Sequence, residues 1–88
     1  MTDRELERQL KAVANRRRVA IIRYLKQQGR ASVGDIAGAI RVSFTATSKH
    51  LSLLFNTEIV ERDQEGLQMF YRINPSQTSI LQSVIKHL

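Results

Sequence analysis

Ser32-Val33-Gly34-Asp35-Ile36-Ala37-Gly38-Ala39-Ile40-Arg41-Val42-Ser43-Phe44-Thr45-Ala46-Thr47-Ser48-Lys49-His50-Leu51-Ser52-Leu53-Leu54-Phe55 is the stretch that decides the fold. Ser32 stands three residues before Asp35, the spacing of a capping box, and opens a short helix with Ile36, Ala37 and Ile40 inward. Ser43 caps a second, longer helix that runs to about Phe55. Only Arg41-Val42-Ser43 joins them. At about 100° per residue, Thr47, His50, Leu51 and Leu54 fall on one face of the longer helix. Thr45, Ser48, Lys49 and Ser52 fall on the opposite face. Short polar side chains are poor helix formers, so their concentration on that face has a purpose beyond helix stability. A short helix, a three-residue turn and a longer helix make a helix-turn-helix.

The flanking segments complete the architecture. Thr2 caps a first helix, with Glu5 in capping-box spacing, and Leu6, Leu10 and Val13 form a narrow apolar seam along it. Asn15 caps a second helix with Val19, Ile22 and Leu25 on its buried face and Gly29 at its end. After Asn56 the hydrophobic period changes to two. Ile59 to Asp63 reads as a strand, Gln64 to Leu67 as a turn, and Gln68 to Ile73 as the returning strand with Met69, Tyr71 and Ile73 on one face. Pro75 blocks further pairing, and a last helix from about Thr78 carries Ile80, Leu81, Val84, Ile85 and Leu88 on one side. The expected fold is mainly α with a small β-hairpin: a winged helix-turn-helix of about five helices and a two-stranded wing. At 88 residues the chain has room for a single domain spanning 1–88.

Charge narrows the function. The chain has fourteen Lys or Arg against eight Asp or Glu, a formal net charge of +6. Residues 9–57 hold nine basic side chains and one acid, Asp35. Residues 58–65 reverse the balance, with Glu58, Glu61, Asp63 and Glu65 against Arg62. A basic helical body suits a polyanion, because neutralising phosphates releases their counterions. Without cysteine there are no disulfides, thiolate ligands or thiol switches. The longest apolar run, Val19 to Ile22, is far too short to span a bilayer, and Met1 to Glu5 lacks a signal-like apolar stretch. A cytoplasmic protein with no membrane partner is expected. No Ser-His-Asp set, phosphate-binding loop or metal cluster is visible, so neither enzymatic activity nor a cofactor or metal is expected.

In a winged helix the second helix of the pair enters the major groove and its N-terminal half reaches base edges. Phe44, Thr45, Ser48 and Lys49 are so placed: the hydroxyls donate or accept, the lysine reaches guanine, and the ring meets a thymine methyl. Arg16, Arg17, Arg41, Ser43, Ser52 and the wing's Arg62 complete the expected DNA-binding set. The run Arg16-Arg17-Arg18 sits at the positive end of a helix dipole, an unfavourable place that phosphate contact would offset.

Leu10 to Ile73 resembles the ArsR-type winged-helix repressors. The resemblance rests on Ala14 to Ile22, Ser32 to Ala37, Ser43 followed by Ser48-Lys49-His50-Leu51, and Glu65-Gly66 with Tyr71-Arg72-Ile73, in that order and spacing. It implies a homodimeric, sequence-specific DNA-binding regulator, usually a repressor acting on a palindrome. It also implies dimerisation through the first and last helices, about 2–13 and 78–88, which fits stripes at Leu6, Leu10, Val13, Leu81, Val84, Ile85 and Leu88. Several positions depart from the pattern. Ser32 and Gly34 stand where metal-sensing members carry a Cys-x-Cys, and the last helix offers only His87 as an imidazole ligand. His50 is expected to have a structural role, buried or phosphate-facing. Thr47 replaces a usual aliphatic, and Glu58 falls where the family often has a turn glycine, so a reshaped turn is expected there. The wing is acidic where family wings are basic. A second reading follows from that: a winged-helix module that docks a protein partner through its acidic hairpin and Leu67. The release signal stays open between DNA competition, a protein partner, an organic effector and a changing protein level.

Overall fold

The computed structural model describes all 88 residues. Five helices and a small sheet follow in the order α1 (Asp3–Val13), α2 (Arg16–Gln28), β1 (Ala31–Ser32), α3 (Val33–Ile40), α4 (Phe44–Asn56), β2 (Val60–Glu65), β3 (Gln68–Ile73) and α5 (Ser79–Lys86). Each helix start is capped by a side-chain oxygen. Thr2, Asn15, Ser32, Ser43 and Thr78 accept from backbone N–H groups of the first turn.

The sheet is antiparallel with β3 in the middle, between β1 and β2. Two details differ from the sequence reading. β2 continues to Glu65, which pairs with Gln68, so Gly66-Leu67 alone forms the turn. Gly66 has φ +60° at the first turn position, a conformation that two-residue hairpins assign to glycine. The added strand β1 pairs Ala31 with Tyr71 and Ser32 with Phe70. Two residues carry no readable period, so nothing in the local sequence announces it.

One cluster of 15 buried apolar side chains joins the elements, including Ile21, Ile22 and Leu25 of α2, Ile36 of α3, Leu51 and Leu54 of α4, Ile59, and Leu81 of α5. Ile21 takes the core position on α2, and Val19 is only half-buried. Thr47 is fully buried among these residues, and its Oγ1 has no hydrogen-bond partner.

The turn after α4 keeps the left-handed geometry that the expected reshaping would have removed. Glu58 adopts φ 63°. Its N–H donates to Phe55 O at 3.0 Å and that of Ile59 donates to Leu54 O at 2.9 Å, the paired bonds of a Schellman stop. Ile59 and Leu54, both fully buried, supply the accompanying apolar contact. Asn74 Nδ2 and Gln77 Nε2 donate to Glu58 O, which fixes the turn from the far side. These bonds hold a side-chain-bearing residue where glycine is unstrained. Glu58→Gly is therefore expected to stabilise the chain by about 1 kcal/mol, measurable as a higher denaturant midpoint at unchanged slope.

Candidate nucleic-acid interface

The outer face of α4 is open to solvent. Phe44, in its first turn, is 62% exposed, Thr45 and Lys49 are exposed, and Ser48 and Ser52 are half-buried. Ser43 is also exposed, but its Oγ accepts from Ala46 N–H, so the hydroxyl fixes the first turn of the helix. Arg41 precedes it in the turn, with φ 59° at the C-cap of α3 and an exposed side chain. A non-glycine residue in this conformation costs about 1–2 kcal/mol.

The structure divides the cations of the basic body into two groups. The first group serves the fold. Arg18 Nε and Nη2 donate to Ala12 O and Lys11 O at the end of α1, and Nη1 meets His50 Nδ1 at 3.2 Å. Lys26 Nζ donates to Ile85 O at 2.8 Å and Lys86 O at 3.2 Å, and Arg23 Nε donates to Leu88 O at 3.0 Å. Arg18 and Lys26 answer carbonyls at the negative ends of α1 and α5, and Arg23 reaches Leu88 O just beyond α5. Arg30 turns to the wing. The second group, Arg16, Arg17, Arg41 and Lys49, has no ion pair and no side-chain hydrogen bond. All four are exposed.

His50 is half-buried and paired within the chain. Arginine only donates, so Nδ1 accepts from Arg18 and the neutral ring carries its proton on Nε2. Burial pushes its pKa below the ordinary 6.5, and the neighbouring charges of Arg18 and Arg17 push the same way. Burial likewise lowers the pKa of Arg18.

The wing is acidic in composition, yet its carboxylates are answered from within the chain. Arg30 Nη2 reaches Asp63 Oδ2 at 2.9 Å and Glu65 Oε1 at 2.6 Å, with its guanidinium 4.0 Å over the Phe70 ring. These contacts raise the arginine's pKa, the hydrogen bond to Asp63 most of all. Arg72 Nε pairs with Glu61 Oε2 at 2.9 Å. Arg62, one of the expected DNA contacts, lies 3.9 Å over the Phe55 ring and remains exposed. Leu67 stands fully exposed at the hairpin tip.

The terminal stripes are shared between core and surface. Leu81 is fully buried in the chain's own core, and Val13 and Ile85 are nearly so. Leu6, Val84 and Leu88 are half-buried. The apolar surface left open is Leu10, 39% exposed, and Ile80, 51% exposed.

Two cations were missed by the sequence reading. Arg8 and Lys11 of α1 line a groove of about 760 Å³ whose opposite wall is α4 from Phe44 to Thr57. The groove also takes in Thr45, Ser48, Lys49 and Ser52, while Arg16, Arg17, Arg41 and Ser43 lie outside it. Leu6, Leu10 and Val13 gave α1 a readable apolar seam, but the residues the structure buries are Gln9, Ala12 and Val13, and the sequence carried no signal that Arg8 and Lys11 stand beside α4.

A helix-turn-helix with a wing, an open α4 face and unpaired cations beside it define a protein of the DNA-binding winged-helix class. Comparison with known proteins gives the family. The profile described as bacterial regulatory protein, arsR family, matches residues 15–62, and the chain belongs to that family of transcriptional regulators. It is 28% identical over 80 residues to the arsenical resistance operon repressor of Bacillus subtilis, covering 91% of this chain and 76% of that protein. Among solved structures, HlyU from Vibrio cholerae superposes with a TM-score of 0.81 at 27% identity, covering 99% of this chain and 92% of the other. A Mycobacterium bovis domain, described as a homodimeric winged helix-turn-helix DNA-binding domain of a possible ArsR-family regulator, gives a TM-score of 0.81 at 31% identity. That match covers 99% of this chain and 85% of the other. No helix here is long and apolar enough to cross a membrane.

Proposed function

We propose that the chain is a sequence-specific repressor that binds a palindromic DNA operator as a homodimer, without a metal or thiol switch. The observation that carries this reading is the second group of cations. Arg16, Arg17, Arg41 and Lys49 are left unpaired, while the fold itself engages Arg18, Arg23 and Lys26 of α2. Each subunit lays α4 in the major groove, where Phe44, Thr45, Ser48 and Lys49 meet base edges. Arg16, Arg17 and Arg41 meet phosphates, with Ser52 and Arg62 at the margins. The left-handed strain at Arg41 supports a functional demand on that side chain, since glycine would relieve it.

Dimerisation uses α1 and α5. Leu6, Leu10, Val84 and Leu88, with Ile80 beside them, supply the contact surface, and Val13, Leu81 and Ile85 brace it from the core side. The Mycobacterium bovis relative, described as homodimeric, supports this, and the Bacillus subtilis relative, described as a repressor, supports the sign of regulation. A docking role for the wing has less support, because Asp63, Glu65 and Glu61 already have partners in Arg30 and Arg72.

Selection from a random duplex pool, followed by gel shifts over a salt series, tests the reading. The expected product is an inverted repeat with half-sites about one helical turn apart and a steep loss of affinity with salt. No duplex binding at low salt, or binding without sequence preference, would overturn it.

A further inference from the structure

The groove between α1 and α4 has more apolar character than phosphate recognition alone requires. Ala12, Leu53 and Phe44 are among its lining, and Leu53 and Phe44 remain 38% and 62% exposed. Beside them stand Arg8, Lys11 and Lys49, none of which donates a side-chain hydrogen bond within the chain, and Arg18, which is held by Ala12 O, Lys11 O and His50. Lys11 has only a loose, exposed ion pair with Glu7 at 3.9 Å. No carboxylate lines the groove. Apolar side chains beside exposed cations, with no acid in the lining, suit an organic molecule with an apolar body and an anionic head as well as they suit a duplex. The groove is open to solvent rather than enclosed, and its volume of about 760 Å³ leaves room for a small molecule.

We propose that this groove binds an amphipathic organic anion, such as an aromatic or fatty carboxylate or sulfonate, and that the bound anion releases the protein from DNA. The apolar body rests on Leu53 and Phe44 while the head meets Arg8 and Lys11. Release is by direct exclusion. Phe44, Thr45, Ser48 and Lys49 line the same groove and are the side chains assigned to base edges, so anion and duplex cannot occupy them together. The exclusion step rests on the DNA-binding reading given above; the binding step does not.

The test uses anilinonaphthalene sulfonate, an amphipathic aromatic anion that fluoresces when its rings leave water, with the full chain and no DNA. Saturable binding of one probe per chain is expected. The uncharged analogue N-phenylnaphthylamine, with the same rings, should bind about tenfold more weakly or worse. Arg8 is exposed, so Arg8→Gln should keep the fold, checked by an unchanged denaturant midpoint, while probe affinity falls about tenfold. Adding the selected operator duplex should displace the probe from the wild type. Equal binding of the neutral analogue, no loss in Arg8→Gln, or no saturable site would overturn the binding proposal whatever the DNA result. A probe that stays bound on saturated operator would overturn the exclusion step, while failure of the duplex to bind even without probe would count against the DNA reading instead.

Discussion

Replacing Arg18 with methionine is expected to destabilise the folded chain by about 2 kcal/mol, read from a denaturant midpoint at constant slope. Arg18 is the one side chain that ties three elements at once. It holds the last carbonyls of α1 through Lys11 O and Ala12 O, projects from α2, and donates to His50 of α4. Methionine keeps the apolar stem and removes every donor, so the loss measures the polar clamp rather than packing. The clamp also sets a pH response. Folded His50 has a pKa below 6.5, lowered first by burial and then by Arg18 and Arg17, while the unfolded ring titrates near its usual value. Between those two pKa values the unfolded chain binds more protons, so stability is complete above about pH 6.5 and falls as pH drops through the folded pKa. His50→Gln should flatten that part of the stability profile. In Arg18→Met the His50 ring should titrate higher than in the wild type, because a neighbouring positive charge is gone. An unchanged midpoint together with an unchanged His50 titration would show that water replaces the guanidinium and that the clamp is dispensable.

The parts of this clamp were unequally legible in the sequence. The helix starts were readable because capping is local: Thr2, Asn15, Ser32 and Ser43 each accept from an N–H two or three residues on. The buried face of α4 was readable because Thr47, Leu51 and Leu54 repeat with the helix period. The pairing of Arg18 with His50, 32 residues away, and of Arg30 with Asp63 and Glu65, 33 and 35 away, follows no local rule. It depends on which elements the fold brings together. Arg30 becomes intelligible only through β1: Ala31 pairs with Tyr71, and β2 lies on the far side of that strand, so an arginine one residue earlier reaches across the sheet to the wing. Net charge summed along the chain was therefore a poor guide to the wing, where composition is acidic but each pairing is satisfied. It was a better guide to the helical body once the cations that cap helix ends were separated from those that do not. Glu58 shows the reverse case. Its position was legible and its conformation was not, because the bonds from Asn74 and Gln77 that hold the turn come from beyond the hairpin.

Lys49→Ala is expected to weaken binding to the selected operator by about 1–3 kcal/mol and to leave non-specific duplex binding much less affected. Lys49 is exposed on α4, its amine has no internal partner, and it lies on the same face as Ser48 and Ser52. An amine so placed adds energy where it meets a guanine edge, which only the right sequence supplies. Arg16→Ala should behave differently. Arg16 opens α2 at the positive end of the helix dipole, where an additional cation is unfavourable unless an anion approaches. A phosphate is that anion in any sequence, so its loss should lower specific and non-specific affinity alike and reduce the salt slope by about one. Measured together over a salt series, the two variants separate base reading from backbone attraction. The arrangement of α4 and α2 on DNA proposed here requires that only Lys49→Ala lowers the ratio of specific to non-specific affinity. If both variants lower that ratio equally, Arg16 is not a phosphate contact alone; if Lys49→Ala leaves the ratio unchanged, its amine does not read the bases. If neither variant changes the salt slope or the ratio, the unpaired cations of this face are surface charge and the duplex binds elsewhere.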